Sequence, residues 1–126
     1  MVVNYFKQEE FDQKGLPGSG SKMNNAFIVH LNELRRRCGF PLIVSSGYRS
    51  PEYNSKVSSS GSDGAHTTGK AADLLVSHDK AFIVLREAFA MGVFTGIGIN
   101  QKGNQRFIHL DICDITESPR IAIWTY

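Results

Sequence analysis

The segment RFIHLDIC, residues 106–113, carries the alternation from which the rest of the chain can be organised. Successive side chains of an extended strand point to opposite faces. Phe107, His109 and Asp111 therefore share one face, and Ile108, Leu110 and Ile112 share the other. The aliphatic set reads as a core face. A histidine and an aspartate opposite it point to a polar cleft or a site, since a merely solvated strand more often carries Lys, Thr or Glu there.

Working outward, the turn QKGN joins this strand to FTGIGIN (94–100) as a hairpin, and RIAIWTY (120–126) reads as a terminal strand. KAADLLV (70–76) is another strand candidate, and the β-branched run over 41–46 is a further one that delivers Tyr48 and Arg49 at its end. Two amphipathic helices complete the set. The first follows Ser21 as N-cap, places Met23, Phe27, Leu31, Leu34 and Cys38 on one face, and closes at Gly39. The second starts at Ser77 as N-cap, ends before Gly92, and is expected to bury Phe82, Leu85 and Phe89. Between the first two strands, SKVSSSGSDGAHTTG (55–69) reads as a long loop without structure of its own, a kind of segment that is often functional. The order helix, strand, strand, helix and three strands predicts an α+β domain with a mainly antiparallel sheet and two principal helices.

Composition narrows the class. A chain of 126 residues, 41% hydrophobic and 21% charged, fits one soluble domain spanning 1–126 with a core that needs no disulfide staples. The net charge of +2 is small, and its densest basic run, Arg35 to Arg37, lies at a helix end where it suits the helix dipole, so nucleic-acid binding is not expected. Cys38 and Cys113 lack the paired spacing of a thiolate zinc site, and the sequence does not say whether they meet. No apolar run is long enough to span a membrane. MVVNYFKQEEF at the start lacks the features of a secretory signal, so synthesis in the cytoplasm is expected.

GAHTTGKAAD (64–73) sets His66 and Asp73 seven positions apart around a turn of small residues. Joined to His109, they would offer two imidazole nitrogens and a carboxylate, a donor set suited to Zn²⁺ with a fourth position open, which is the catalytic rather than the structural pattern. The same residues also read as a polar loop closing onto a buried strand. Spacing between a loop and a strand does not choose between the two.

Three blocks in order, SSGYRSPEYN, HTTGKAAD and FIHLD, resemble those of the zinc D-Ala-D-Ala carboxypeptidase and endopeptidase family of bacterial and phage cell-wall peptidases, which shares its fold with lysostaphin-type enzymes and the hedgehog domain. The similarity runs over residues 41–113, and the early helix and the terminal IWTY also look like small phage and prophage members. The resemblance implies that His66, Asp73 and His109 bind zinc and that Arg49, in the SGYR position, faces the active site. There a guanidinium can hold a substrate carboxylate or carbonyl oxygen. The competing expectation pairs Arg49 with an acid of the loop. Tyr48 reads as a packing residue, His30 as a surface or boundary histidine, and His78 and Asp79 as capping and surface residues.

Two positions depart from the family pattern. Many members carry a histidine or an acid shortly before the last zinc histidine, where this chain has Arg106 and Phe107, and Gly64-Ala65-His66 replaces the usual S-x-H. Asp111 is the nearest replacement base, on the same strand face as His109; its rival role is to accept a ring N–H from a ligand histidine.

The resemblance thus implies a zinc-dependent, monomeric peptidase that cuts a peptidoglycan stem peptide at D-Ala-D-Ala or L-Ala-D-Glu. On this reading Arg49 would orient substrate, and Asp111 or a residue not evident from the sequence would move protons, the protein reaching the wall as an endolysin released at lysis or on a phage particle. The alternatives are a wall-binding module that keeps the zinc fold without turnover and a metal-free structural subunit of a phage particle.

Overall fold

The computed structural model describes residues 4–58 and 61–126. Among them are three α-helices, α1 (Asn25–Cys38), α2 (Pro51–Val57) and α3 (His78–Met91), and five strands, β1 (Ile43–Ser46), β2 (Ala71–Leu75), β3 (Gly96–Asn100), β4 (Phe107–Asp111) and β5 (Ala122–Thr125). The strands form one sheet in the order β1-β2-β4-β3-β5. All neighbours are antiparallel except β3 and β5, which run parallel. The architecture is α+β, as the element order predicts.

The core lies on the helix side of the sheet. Ala72 and Leu74 of β2, Ile97 of β3, and Ile108 and Leu110 of β4 meet Phe27, Leu31 and Leu34 of α1 and Ala81, Val84 and Ala88 of α3. Phe27 lies edge-on to Phe94 at 6.5 Å between ring centroids. The β4 alternation holds: Ile108 and Leu110 are fully buried in this core, while His109 and Asp111 face the other side of the sheet.

On that other side, register builds two rows. Ser46, Asp73, His109, Gly98 and Trp124 stand side by side across β1, β2, β4, β3 and β5. Beside them Ala71, Asp111, Gly96 and Ala122 form a second row. The two β3 glycines are required by close approach. A Cβ on Gly96 would stand 2.3 Å and 2.4 Å from the Asp111 carboxylate oxygens, and one on Gly98 would stand 2.6 Å from Trp124 Nε1. Large polar and aromatic groups therefore fold over β3 where its own side chains are missing.

Four local expectations are corrected. The N-cap of helix α1 lies three residues beyond Ser21: it is Asn24, its Oδ1 accepting from Phe27 N at 3.0 Å, and Ser19–Lys22 instead form a 3-10 turn. Ser77 does occupy the N-cap position of α3, but its side chain makes no capping bond. The buried face of α3 is Ala81, Val84 and Ala88, whereas Phe82 and Phe89 are 68% and 56% exposed and Leu85 sits half-buried at the margin. Both stripes have helical spacing, and the smaller one lets α3 approach α1 and β4 closely.

The long loop is also more ordered than expected. Ser50 caps α2 through Tyr53 N, with Pro51 in its first turn, and 3-10 turns follow over Gly61–Asp63 and Ala65–Thr68. Ser59 and Ser60 of this segment, like Met1 to Val3 at the start, lie outside the described residues. Cys38, half-buried, and Cys113, buried, are both free, and burial pushes each thiol up to about 11.

The outer stripe of α3 and the core separate in a stability measurement. Phe27→Ala is expected to cost about 3–5 kcal/mol in urea unfolding, as for a fully buried aromatic. Phe82→Ser and Phe89→Ser should each stay within about 0.5 kcal/mol of the parent. A loss at Phe82 or Phe89 matching that at Phe27 would show that the helix buries its larger stripe.

Candidate metal centre

Each side chain of the centre arrives from a different element. Asp73 and His109 are directly opposite on β2 and β4, and His66 comes from the 3-10 turn Ala65–Thr68 that feeds β2. All three are buried, at 7%, 3% and 5% exposure. Asp73 Oδ1 lies 3.3 Å from His66 Nε2 and 3.0 Å from His109 Nδ1, and the imidazoles meet at 68° with centroids 5.1 Å apart.

The far nitrogen of each ring decides what the near one can do. His66 Nδ1 is 2.8 Å from the carbonyl oxygen of Gly47, which can only accept, so Nδ1 carries the proton and Nε2 presents a lone pair. His109 Nε2 is 2.7 Å from Asp111 Oδ2, which leaves Nδ1 as the atom turned toward Asp73. Gly47 itself is fixed by the N-terminal segment: Tyr48 N donates to Phe11 O at 2.9 Å, and a Cβ on Gly47 would sit 2.7 Å from Phe11 Cα.

This donor set fits a divalent cation. Ligands about 2.0–2.2 Å from one tetrahedral ion stand roughly 3.3–3.6 Å from each other. The three donor atoms lie within 4.8 Å of one another, and the two spacings to Asp73 Oδ1 are near the tetrahedral value. Electrostatics agrees. Burial works to raise Asp73, yet His66 and His109 hold it well below the usual carboxylate range. Burial works to lower His109, yet Asp111 and Asp73 hold it above the ordinary imidazole value. Asp73 is therefore held as a carboxylate that a cation can meet, with the ring protons of the imidazoles as its competitors.

Arg49 reaches the same place. Its Nε donates to Ser46 Oγ at 3.0 Å, Nη1 to Asn54 Oδ1 at 3.2 Å, and Nη2 lies 3.6 Å from Asp73 Oδ2. Its acidic partner is thus Asp73 rather than an acid of the loop. A cleft of about 820 Å³ opens over the centre, with Arg49 at its wall beside Phe107, Trp124 and Tyr126 and with the acids Asp63 and Glu117 along its lining.

Asp111 is fully buried and both its oxygens are engaged. Oδ2 accepts from His109 Nε2 and, at 2.6 Å, from Arg120 Nη2; Oδ1 accepts from Arg120 Nε at 2.9 Å and from Cys113 N at 3.2 Å. Burial opposes its ionisation, but His109 and Arg120 bring it down to about 2.

Phe107, two residues before His109 on the same strand face, packs on Tyr126 at 5.0 Å. Tyr48 is buried in the core, as expected of a packing residue, and His78 and Asp79 are exposed at the start of α3. Sequence reading missed Arg120, Trp124 and Tyr126 as site residues. The available signal was the alternation of the last strand, which puts Trp124 and Tyr126 on one face.

A family model described as Peptidase M15 matches residues 4–111, a span that includes His66, Asp73 and His109. No curated protein and no solved structure matches the chain.

Zinc binding is directly measurable as stability. Free zinc at one hundred times its dissociation constant is expected to stabilise the fold by about 2.7 kcal/mol. That gain should vanish in His66→Ala, Asp73→Ala and His109→Ala and reverse when a chelator is added to the parent. An equal zinc-dependent gain in all three variants would place the ion elsewhere.

Proposed function

Because the chain belongs to the peptidase M15 family, whose members are zinc-dependent, we propose that it is a zinc peptidase acting on the stem peptides of bacterial peptidoglycan, with His66, Asp73 and His109 as the metal ligands. The observation that carries this reading is the convergence of two imidazoles, each held through its far nitrogen by a hydrogen-bond acceptor, on one buried carboxylate beneath an open cleft.

Zinc bound there supplies a Lewis acid for the scissile carbonyl and lowers the pKa of water. The protein's own groups do the rest. Arg49, held by Ser46 and Asn54, keeps a guanidinium beside Asp73 where negative charge grows on the carbonyl oxygen of the substrate. Of the two roles open to Asp111, we take orientation of His109, since both its oxygens already accept hydrogen bonds in a site without solvent access. Proton transfer to the leaving amine then falls to an acid of the cleft lining, Asp63 or Glu117. Glu117 is already paired with Lys70 at 2.9 Å, whereas Asp63 is exposed on its 3-10 turn, which favours Asp63.

No helix among the described residues is long and apolar enough to cross a membrane. We propose that the enzyme acts on the wall as a monomeric domain, released at lysis or carried by a phage particle. One observation favours a second reading, a wall-binding module without turnover: an aromatic ring, Phe107, fills the position next to His109 where a base is common.

The zinc-loaded protein is expected to cleave purified peptidoglycan, and mass spectrometry of the fragments identifies the bond, by release of D-alanine or by a new amino terminus on D-glutamate. Arg49→Ala should lower kcat by about 10²-fold or more with zinc content retained. Asp63→Asn should lower kcat at unchanged zinc content, while Glu117→Gln should not. Muropeptide binding without any zinc-dependent product would replace the peptidase by the binding module.

A further inference from the structure

Arg120 lies outside the three sequence blocks and beyond the matched residues 4–111, yet it joins the metal centre through a second buried carboxylate. Its guanidinium forks onto Asp111, Nε to Oδ1 at 2.9 Å and Nη2 to Oδ2 at 2.6 Å, so the planes of the two groups are fixed together. Both side chains are shielded, at 9% and 0% exposure. The same Oδ2 receives His109 Nε2, so the carboxylate has no rotational freedom left once Arg120 is in place.

The surroundings hold this arrangement. Gly96 leaves the space that both groups occupy, since a Cβ there would also stand 2.5 Å from Arg120 Nε. The parallel pairing of β5 with β3, begun by Ala122 N to Thr95 O at 2.9 Å, sets the height of Arg120 above the sheet. Its remaining nitrogen, Nη1, donates to Pro119 O at 2.6 Å. The Trp124 ring contacts both ends of the chain of contacts, the Arg120 guanidinium at 5.1 Å and the His109 ring at 5.1 Å.

We propose that Arg120 is a positioning residue for the metal centre. It locks Asp111 in the orientation that accepts the Nε2–H hydrogen bond of His109, which keeps Nδ1 turned toward Asp73 and His66. The inference rests on the reading of His66, Asp73 and His109 as ligands. A lysine cannot supply the fork, because its ammonium is a single point charge.

The test measures zinc affinity by competition with a chromogenic chelator, and the visible absorption of the cobalt-loaded protein, for the parent, Arg120→Gln, Arg120→Lys, Asp111→Asn and Asp111→Asn/Arg120→Gln. Both Arg120 single variants are expected to weaken zinc by about 10- to 100-fold and to alter the cobalt spectrum. In the Asp111→Asn background, Arg120→Gln should add less than about threefold, because the connection is already cut. Should Arg120→Gln fail to fold, Arg120→Lys, which keeps a cation beside Asp111, decides alone. Zinc affinity within about twofold of the parent in a folded Arg120 variant, or full additivity with Asp111→Asn, would overturn the proposal. A parent that binds neither metal would remove the ligand assignment and this inference with it; a parent that binds both, with unaffected variants, removes only the role of Arg120.

Discussion

A buried carboxylate at the middle of a sheet is costly unless charge and hydrogen bonds surround it, and Asp73 is such a group. It meets His66 from a turn, His109 from the neighbouring strand and Arg49 from the junction between β1 and α2. Each of those partners is itself held from behind, His66 by the Gly47 carbonyl, His109 by Asp111, and Arg49 by Ser46 and Asn54. The demands of one charge thus reach into the N-terminal segment, the 50–70 region and the last strand.

Sheet register makes the arrangement possible. A slip of one residue between β2 and β4 would turn His109 and Asp111 into the core and Ile108 and Leu110 into the cleft. The aliphatic face therefore guards the polar one: packing of Ile108 and Leu110 against α1 and α3 fixes which side His109 must occupy. Strand β3 gives up side chains of its own at Gly96 and Gly98. Glycine weakens a strand, and here the gap admits the Asp111–Arg120 pair and the Trp124 ring over the sheet.

Local errors in reading the chain share a cause. On α3 the sequence offers two stripes at helical spacing, and the bulkier one looks like the core face. The space between helix and sheet, a tertiary quantity, selects the Ala81, Val84 and Ala88 stripe and leaves Phe82 and Phe89 outside. Ser21 and Asn24 both suit an N-cap, and the choice follows from where the preceding 3-10 turn ends, with Asn24 N bonded to Gly69 O across the fold. The short helix α2 was legible in Ser50 and Pro51 as cap and first turn but was hidden by the serine-rich run behind it.

By itself the sequence determined the class of the fold, the strand that presents His109 and Asp111, and, through the order of three short blocks, the residues that meet at one centre. The first two rest on local properties, a period of two along a strand and a cap before a helix; the third rests on the resemblance of the blocks to a known family, since the spacing of His66 and Asp73 leaves two readings open. Tertiary structure alone decided which nitrogen of each histidine faces Asp73, that Arg49 stands against Asp73 rather than a loop acid, and that Asp111 is clasped by Arg120. Those facts depend on contacts between residues far apart in the chain, and a hydrogen bond to a ring nitrogen has no signature in spacing. The parallel return of β5 beside β3 brings Arg120 and Trp124 over the centre, and no pattern within RIAIWTY specifies which strand it will join.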